Sequence, residues 1–422
     1  MNWQQDLSSQ LLLASDLVLL SPTEDGLQQS LNVLHKFCQT WALNINPQKT
    51  KILTFQKKYR YQGKKFTLGA YEIEQVKSYT YLGLKFTSTG NFNLAVNDLK
   101  EKARRAFYAI KKSIQFDIPI RIWLKIFQTV IEPIALYGSE VWGPPMHNGF
   151  EKWDKHPIET LHAEFCKSIL KVQRNTPNNA CRAELGQYPL LIKIEKRAIK
   201  FFEHLKTSDP NTYCYKALKS QEMSAKASPL FQLVLRLTHN NSTTNTTNSQ
   251  PQDLATLSQS IRPNQIINSE KQNYLSYWNE TTKRQNKLQC YLALNREYTV
   301  ADYLSTVTDT RQRKTMTRYR LSNHNLAIEK GRHRQTWLPR EDRLCTNCNQ
   351  GAIETEFHFL AECCQWKEIR DQFFPKFREM HSDLQNFKDP SLRILLGEEQ
   401  KSTRLAARYI DACHRKRESL HQ

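Results

Sequence analysis

Cys345, Cys348, His358 and Cys363 stand at the spacing Cys-x2-Cys-x9-His-x4-Cys. If these side chains share one ion, the chain between them loses most of its freedom. A tight knuckle must present two thiolates, and a second element must return an imidazole and a third thiolate to close a tetrahedron. That donor set suits a structural Zn²⁺, and four protein ligands leave no open position for metal-based catalysis. Asn347, Asn349 and Gly351 suit the turns such a knuckle needs. Phe357, Phe359 and Leu360 are expected to pack beneath the metal. Cys364 is an alternative fourth ligand, although Cys363 gives the commoner spacing. The plainer alternative is a set of free core cysteines beside a hydrogen-bonded histidine.

Charge gives the second constraint. The 422 residues carry 61 Lys and Arg against 41 Asp and Glu, a net charge of +20. An excess of this size points to a polyanionic partner, RNA or DNA. The excess is concentrated. Residues 94–125 hold eight basic side chains, including Arg104, Arg105, Lys111 and Lys112, against three acids. Residues 311–340 hold nine (Arg311, Arg313, Lys314, Arg318, Arg320, Lys330, Arg332, Arg334 and Arg340) against Glu329 alone. Tyr319 and Trp337 lie among the latter, and flat rings can stack on unpaired bases. A solvated helix face is the plainer reading of either run. No apolar run approaches the roughly 18 residues of a membrane span. The apolar stretch 11–20 lacks a basic leader and contains Asp16, so it does not read as a secretory signal. The ten cysteines are therefore expected to be reduced, in an intracellular chain, nuclear or cytoplasmic, with no membrane partner.

The chain opens with two short apolar runs, 11–13 and 17–20, around Ala14-Ser15-Asp16. This pattern predicts a strand–turn–strand hairpin with Asp16 near its tip, where a carboxylate could hold a divalent ion. Ser21-Pro22-Thr23-Glu24 predicts a helix start with Ser21 as cap and Pro22 at the first helical position. Leu27, Leu31, Leu34, Phe37, Cys38 and Trp41 then share one helical face, expected to lie on a sheet. Strands are predicted at 43–46, 52–55, 66–68, 71–73 and 76–86, with Gly69-Ala70 as a hairpin turn.

The segments LLLASDLVLLS, WALNINPQKTK and YTYLG, in this order and spacing, resemble the second half of the palm of LINE-type (non-LTR) retrotransposon reverse transcriptases. The resemblance extends through ALYGSEVWG and the terminal Cys/His cluster. It implies a catalytic place for Asp16, a triphosphate-side place for Lys49, and a primer-grip place for Tyr81, Leu82 and Gly83. It also implies Mg²⁺ as cofactor wherever polymerase activity is retained. The family's hairpin carries two Asp where this chain has Ser15 and Asp16, and another essential Asp lies upstream of the region matched here. Two-metal nucleotidyl transfer needs those carboxylates, so this polypeptide is expected not to polymerise alone.

The fold class expected is a partial α+β palm at the N-terminus, then mainly α-helical structure, with a small zinc-knuckle domain near the C-terminus. The organisation expected is a partial palm (1–93), thumb-like helices (94–145), a helical connecting region (146–237) and a flexible Asn/Ser/Thr-rich linker (238–269). A helical basic region (270–340), the zinc-knuckle domain (341–397) and a basic C-terminal helix (398–422) follow. The site residues expected are Asp16 and Lys49; Tyr81, Leu82 and Gly83; Arg104, Arg105, Lys111, Lys112, Arg313, Lys314, Arg318, Arg320, Arg332, Arg334 and Trp337 for nucleic acid; and Cys345, Cys348, His358 and Cys363 for Zn²⁺.

Overall fold

The computed structural model describes residues 10–13, 16–56, 65–146, 149–223, 228–239, 263–294, 297–333, 335–382 and 390–420. Two compact units divide at residues 98 and 99.

The first unit holds the strands. β1 (Gln10–Leu13) pairs antiparallel with β2 (Asp16–Leu19), as the apolar runs predict. Ser15 lies outside the described residues. The helix that follows, Glu24–Thr40, starts two residues later than the Ser21 cap implies. Thr23 is its cap and accepts from Gly26 N at 3.1 Å, while Ser21 bonds the Thr23 backbone. Leu31 from this helix packs with Ile52, Phe66, Leu68 and Ile73 of a three-stranded sheet, with Leu27 partly buried against them. That sheet has β5 (Tyr71–Gln75) at its centre, parallel to β3 (Lys51–Ile52) and antiparallel to β4 (Phe66–Leu68). Gly69 has φ +63° and forms the β4–β5 turn with Ala70. Trp41, placed on the same helical face by spacing, stays 66% exposed because the helix ends one residue before it.

Two strand expectations are corrected. Residues 43–46 form no strand; Leu43 N bonds back to Cys38 O as part of the helix exit, and Asn46 turns the chain by accepting from Gln48 N and Lys49 N. The single strand expected over 76–86 is a hairpin, β6 (Ser78–Tyr81) against β7 (Leu84–Thr87). Leu82 (φ 47°) and Gly83 (φ 79°) make its turn, both left-handed, as a two-residue hairpin turn of this hand requires.

Beyond β7 the regular structure of the described residues is helical, apart from two isolated bridges, Leu185 with Val300 and Leu344 with Ile353. Ala103 and Phe107 of the helix Asn93–Ser113, both in the second unit, are fully buried. In the second unit, buried ion pairs link helices distant in sequence. Arg182, fully buried, donates to Glu159 at 3.0 Å and Asp154 at 2.7 Å. Burial alone would raise the Glu159 carboxyl, but His162, Arg182 and the Leu190 N–H outweigh it and hold it at about 2. Arg320 is also buried; it donates to Glu184 at 2.6 Å and to Leu396 O at 2.7 Å, and pairs with Glu398 at 2.6 Å.

Most of the expected linker, 240–262, lies outside the described residues. The helices beside it, Pro229–His239 and Pro263–Lys283, belong to the same unit. Trp278 Nε1 donates to Asn179 O, and Asn179 Nδ2 donates to Thr282 Oγ1, so one core spans both sides in sequence.

Glu195 supplies a pH-dependent term. It is buried near buried Glu270, and it accepts from Arg236 at 2.9 Å. Burial, then Glu270, push its carboxyl up to about 8 against the pull of Arg236. The folded state therefore binds a proton the unfolded state has released, and stability falls as pH rises from about 4.5 to about 8. Glu195→Gln keeps an acceptor for Arg236 and removes the charge. Urea unfolding at pH 5 and pH 9 should show the variant gaining on the wild-type chain at pH 9 only, by on the order of a few kcal/mol. Equal differences at both pH values would mean Glu195 is ionised throughout.

Candidate metal centre

The Cys-x2-Cys knuckle rests on a minimal hairpin. Cys345 N donates to Ala352 O at 2.8 Å, Glu354 N donates to Arg343 O at 2.9 Å, and Gly351 turns the chain at φ +62°. The chain then enters a π-type turn, His358–Glu362, which points His358 inward; Cys363 N closes on His358 O at 2.8 Å. All four side chains are buried, and their ligand atoms lie within 4.8 Å of one another. Among the described residues this is the one cluster of three or more His, Cys, Asp or Glu side chains able to share an ion.

The geometry fits a metal of zinc's size. Zn–S and Zn–N bonds of their usual length put tetrahedron edges at about 3.8 Å between two sulfurs and about 3.6 Å between sulfur and nitrogen. Cys345 Sγ and Cys363 Sγ are 3.9 Å apart, and Cys348 Sγ and His358 Nε2 are 3.4 Å apart. Hence Nε2 is the ligand nitrogen. His358 Nδ1 faces the Glu362 carboxylate at 3.4 Å, without hydrogen-bonding geometry, in the outer position where a carboxylate commonly orients a ligating histidine. Burial pushes the Cys345 thiol up and the Cys363 thiol up to about 12. A divalent cation reverses that preference, because thiolates are its ligands. Cys364 is exposed and takes no part in the cluster.

A second ring of contacts fixes the knuckle. Glu354 accepts from Asn347 Nδ2 at 3.1 Å and from Ala327 N at 2.5 Å, and lies 3.8 Å from Cys345 Sγ. Arg417, from the helix Thr403–Leu420, binds Glu354 through both terminal nitrogens and lies 5.7 Å over the Phe359 ring. Phe359 and Leu360 are buried, but Phe357, just before the π-type turn, is 42% exposed.

The remaining expected residues are dispersed. Asp16 is exposed at the start of β2, and among the described residues no cluster of metal-capable side chains includes it. Lys49 is exposed in a turn, its carbonyl bonded by Tyr79 OH. Tyr81 ends β6, with Leu82 and Gly83 exposed at the tip. Arg105 and Lys112 are exposed. Arg104 pairs with Glu164 at 3.2 Å, and Lys111 donates to Ser168 Oγ at 2.6 Å. Lys314 and Arg318 are half-buried, and Trp337 is 64% exposed. Arg332 pairs with Glu329 at 2.7 Å and donates to Asn286 O. Arg334 lies outside the described residues.

Two assignments are revised by burial. Arg320 is sealed between Glu184, Glu398 and the Tyr303 ring, so its charge holds the fold together and meets no external phosphate. Arg313 has a side chain only 11% exposed and donates to Asp117, Val307 O and Thr308 O, so it orders its surroundings first. Sequence reasoning missed Glu354, Glu362 and Arg417 around the cluster, and Lys171 and Asp117 beside Lys111 and Lys314. Only the helical spacing of Glu362 from His358 was available as a signal for any of them.

No helix among the described residues is long and apolar enough to cross a membrane. No family model matches the chain. Over 166 residues, 38% of this chain, it is 25% identical to a putative uncharacterized transposon-derived protein of Caenorhabditis elegans. The match spans 56% of that protein's length. The similarity points to a transposon-related origin.

Proposed function

We propose that this chain is a retrotransposon-derived nucleic-acid-binding protein of the LINE-type reverse transcriptase lineage, with no polymerase activity of its own. The observation that carries this reading is the buried Cys345/Cys348/His358/Cys363 cluster in a chain of net charge +20. Such a cluster pins a small region that has little other regular structure, in a chain whose excess of cations favours a polyanionic partner. Similarity to a transposon-derived protein supports the origin, and the hairpin bearing Asp16 supports the lineage. Zn²⁺ would be held by the three thiolates and His358 Nε2, and its chemistry there is structural.

Absence of polymerisation follows from charge. A serine hydroxyl at position 15 is neutral and cannot replace a carboxylate in holding two divalent ions. The expected result is no nucleotide incorporation by the purified zinc-loaded chain on a primed RNA template with Mg²⁺ or Mn²⁺. The same preparation should shift labelled RNA and DNA in a gel. Incorporation would overturn the inactive assignment and make Mg²⁺ a cofactor. Failure to shift any nucleic acid at low salt would overturn the function itself. A non-enzymatic zinc-dependent binder, co-opted from such an element, is the second reading. Its support is that, among the described residues, no group of three or more metal-capable side chains includes Asp16.

A further inference from the structure

The second unit contains a cleft of about 160 Å³ beside the C-terminal end of the Asn93–Ser113 helix and the start of the Thr310–Arg320 helix. Lys111, Lys171, Arg313 and Lys314 line it, against the single carboxylate of Asp117. Asp117 accepts from Lys171 at 2.9 Å, from Arg313 at 2.5 Å and from Thr310. Burial alone would raise its carboxyl, but the hydrogen bonds from Thr310, Lys171 and Arg313 outweigh that and hold it at about 2. Its one negative charge is thus engaged by two of the four cations.

The other two lack such a partner. Lys111 donates to the neutral Ser168 hydroxyl, and Lys314 has no carboxylate at salt-bridge distance among the described residues. Arg318, one helical turn beyond, with burial and Lys171, holds the Lys314 ammonium below the ordinary lysine range; Glu418 pulls the other way from the C-terminal helix but itself contacts His414. Arg318 Nε is buried with no hydrogen-bond partner. Crowding like charges in a partly dry cleft costs stability unless an anion enters. At the rim of the same cleft, the Phe116 ring is 74% exposed. A large aromatic ring left in water beside unpaired cations is the combination used to hold unpaired bases and their phosphates.

We propose that this cleft seats a phosphate of a single-stranded polynucleotide between Lys111 and Lys314, with an adjacent unpaired base stacked on Phe116. The inference rests on the nucleic-acid-binding reading above and specifies where a strand enters and in what form. A duplex can offer its phosphates to the lysines but has no free base face for Phe116, so the two parts of the site separate by substrate.

The test is fluorescence anisotropy with the zinc-loaded full chain, a short labelled single-stranded RNA and its duplex. Phe116→Ala, at an exposed ring, should weaken single-strand binding about tenfold and leave duplex binding within about twofold. Lys314→Glu should weaken both about tenfold. Arg284→Glu, a charge reversal at an 80% exposed side chain outside the cleft, should change neither by more than about twofold. Thermal melts of each variant establish that it is folded, and Phe116→Ala alone suffices if Lys314→Glu is not. If Phe116→Ala and Lys314→Glu behave like Arg284→Glu while the wild-type chain binds RNA, the cleft assignment fails and the general reading stands. If the wild-type chain binds neither probe at low salt, both fail. Saturation of the cleft by micromolar inorganic phosphate, read from tryptophan fluorescence, would assign it to a small phosphorylated ligand and overturn the strand proposal.

Discussion

Replacing Cys348 with serine should abolish stoichiometric zinc and unfold the knuckle. The wild-type chain is expected to purify with one zinc per chain, measured by elemental analysis, and Cys348→Ser with close to none. In small domains a structural zinc contributes about 10 kcal/mol of folding free energy at neutral pH. Apart from the Glu354 contacts and a few buried side chains, the segment around the cluster has little to hold it, since its regular structure is one isolated bridge, one π-type turn and one short 3-10 turn. Hydrogen exchange over residues 343–366 should therefore become fast in the variant. Exchange in the Pro157–Leu170 helix, at the ion-pair core around Arg182, should stay slow. Cys364→Ser is the matched control: that thiol is exposed and outside the cluster, and its loss should change neither zinc content nor exchange. A wild-type chain free of zinc with a protected knuckle would mean the four residues are ordinary core side chains.

Arg320→Ala should be the most damaging of the charge substitutions, and its damage should be to stability. Removing the guanidinium leaves the Glu184 carboxylate buried and unpaired, at a cost of about 3–5 kcal/mol. The Leu396 carbonyl loses its donor as well. Urea unfolding followed by tryptophan fluorescence should show the midpoint falling by an amount consistent with that loss. Trp337→Ala, at a ring 64% exposed, should leave the midpoint unchanged. If Arg320→Ala weakens RNA binding in a chain of unaltered stability, the burial account of Arg320 is wrong.

Local features were legible in the sequence wherever a residue type has a single conformational use. Gly69-Ala70 between two alternating triplets, Phe66–Leu68 and Tyr71–Ile73, gives the β4–β5 hairpin, and the runs around Ala14-Ser15 give β1 and β2. The Cys/His spacing marks all four members of the cluster, because a knuckle ligand set has a recognisable period. The β6–β7 turn was hard to read: Leu82 takes a left-handed conformation that leucine rarely adopts, and only Gly83 interrupts the apolar stretch there. Nor could composition divide the arginines. Arg320, Arg313 and Lys314 share one short helix, yet their burial differs because Glu184, Asp117 and Glu398 approach from elsewhere in the chain. The same holds for Glu354 and Arg417, which meet across 63 positions and are visible only once the chain is folded.

The cations that lack a carboxylate at ion-pair distance among the described residues, Lys111 and Lys314 among them, are the core of the functional claim, and salt reads them directly. The affinity of the zinc-loaded chain for a single-stranded RNA should fall linearly with ionic strength on logarithmic axes. Each phosphate neutralised contributes about −0.7 to that slope, so contact with three to five phosphates gives a value of about −2 to −3.5. A slope in that range, flattened in Lys314→Glu, is the predicted result. A slope near zero, or no measurable binding at about 50 mM salt, would contradict the account.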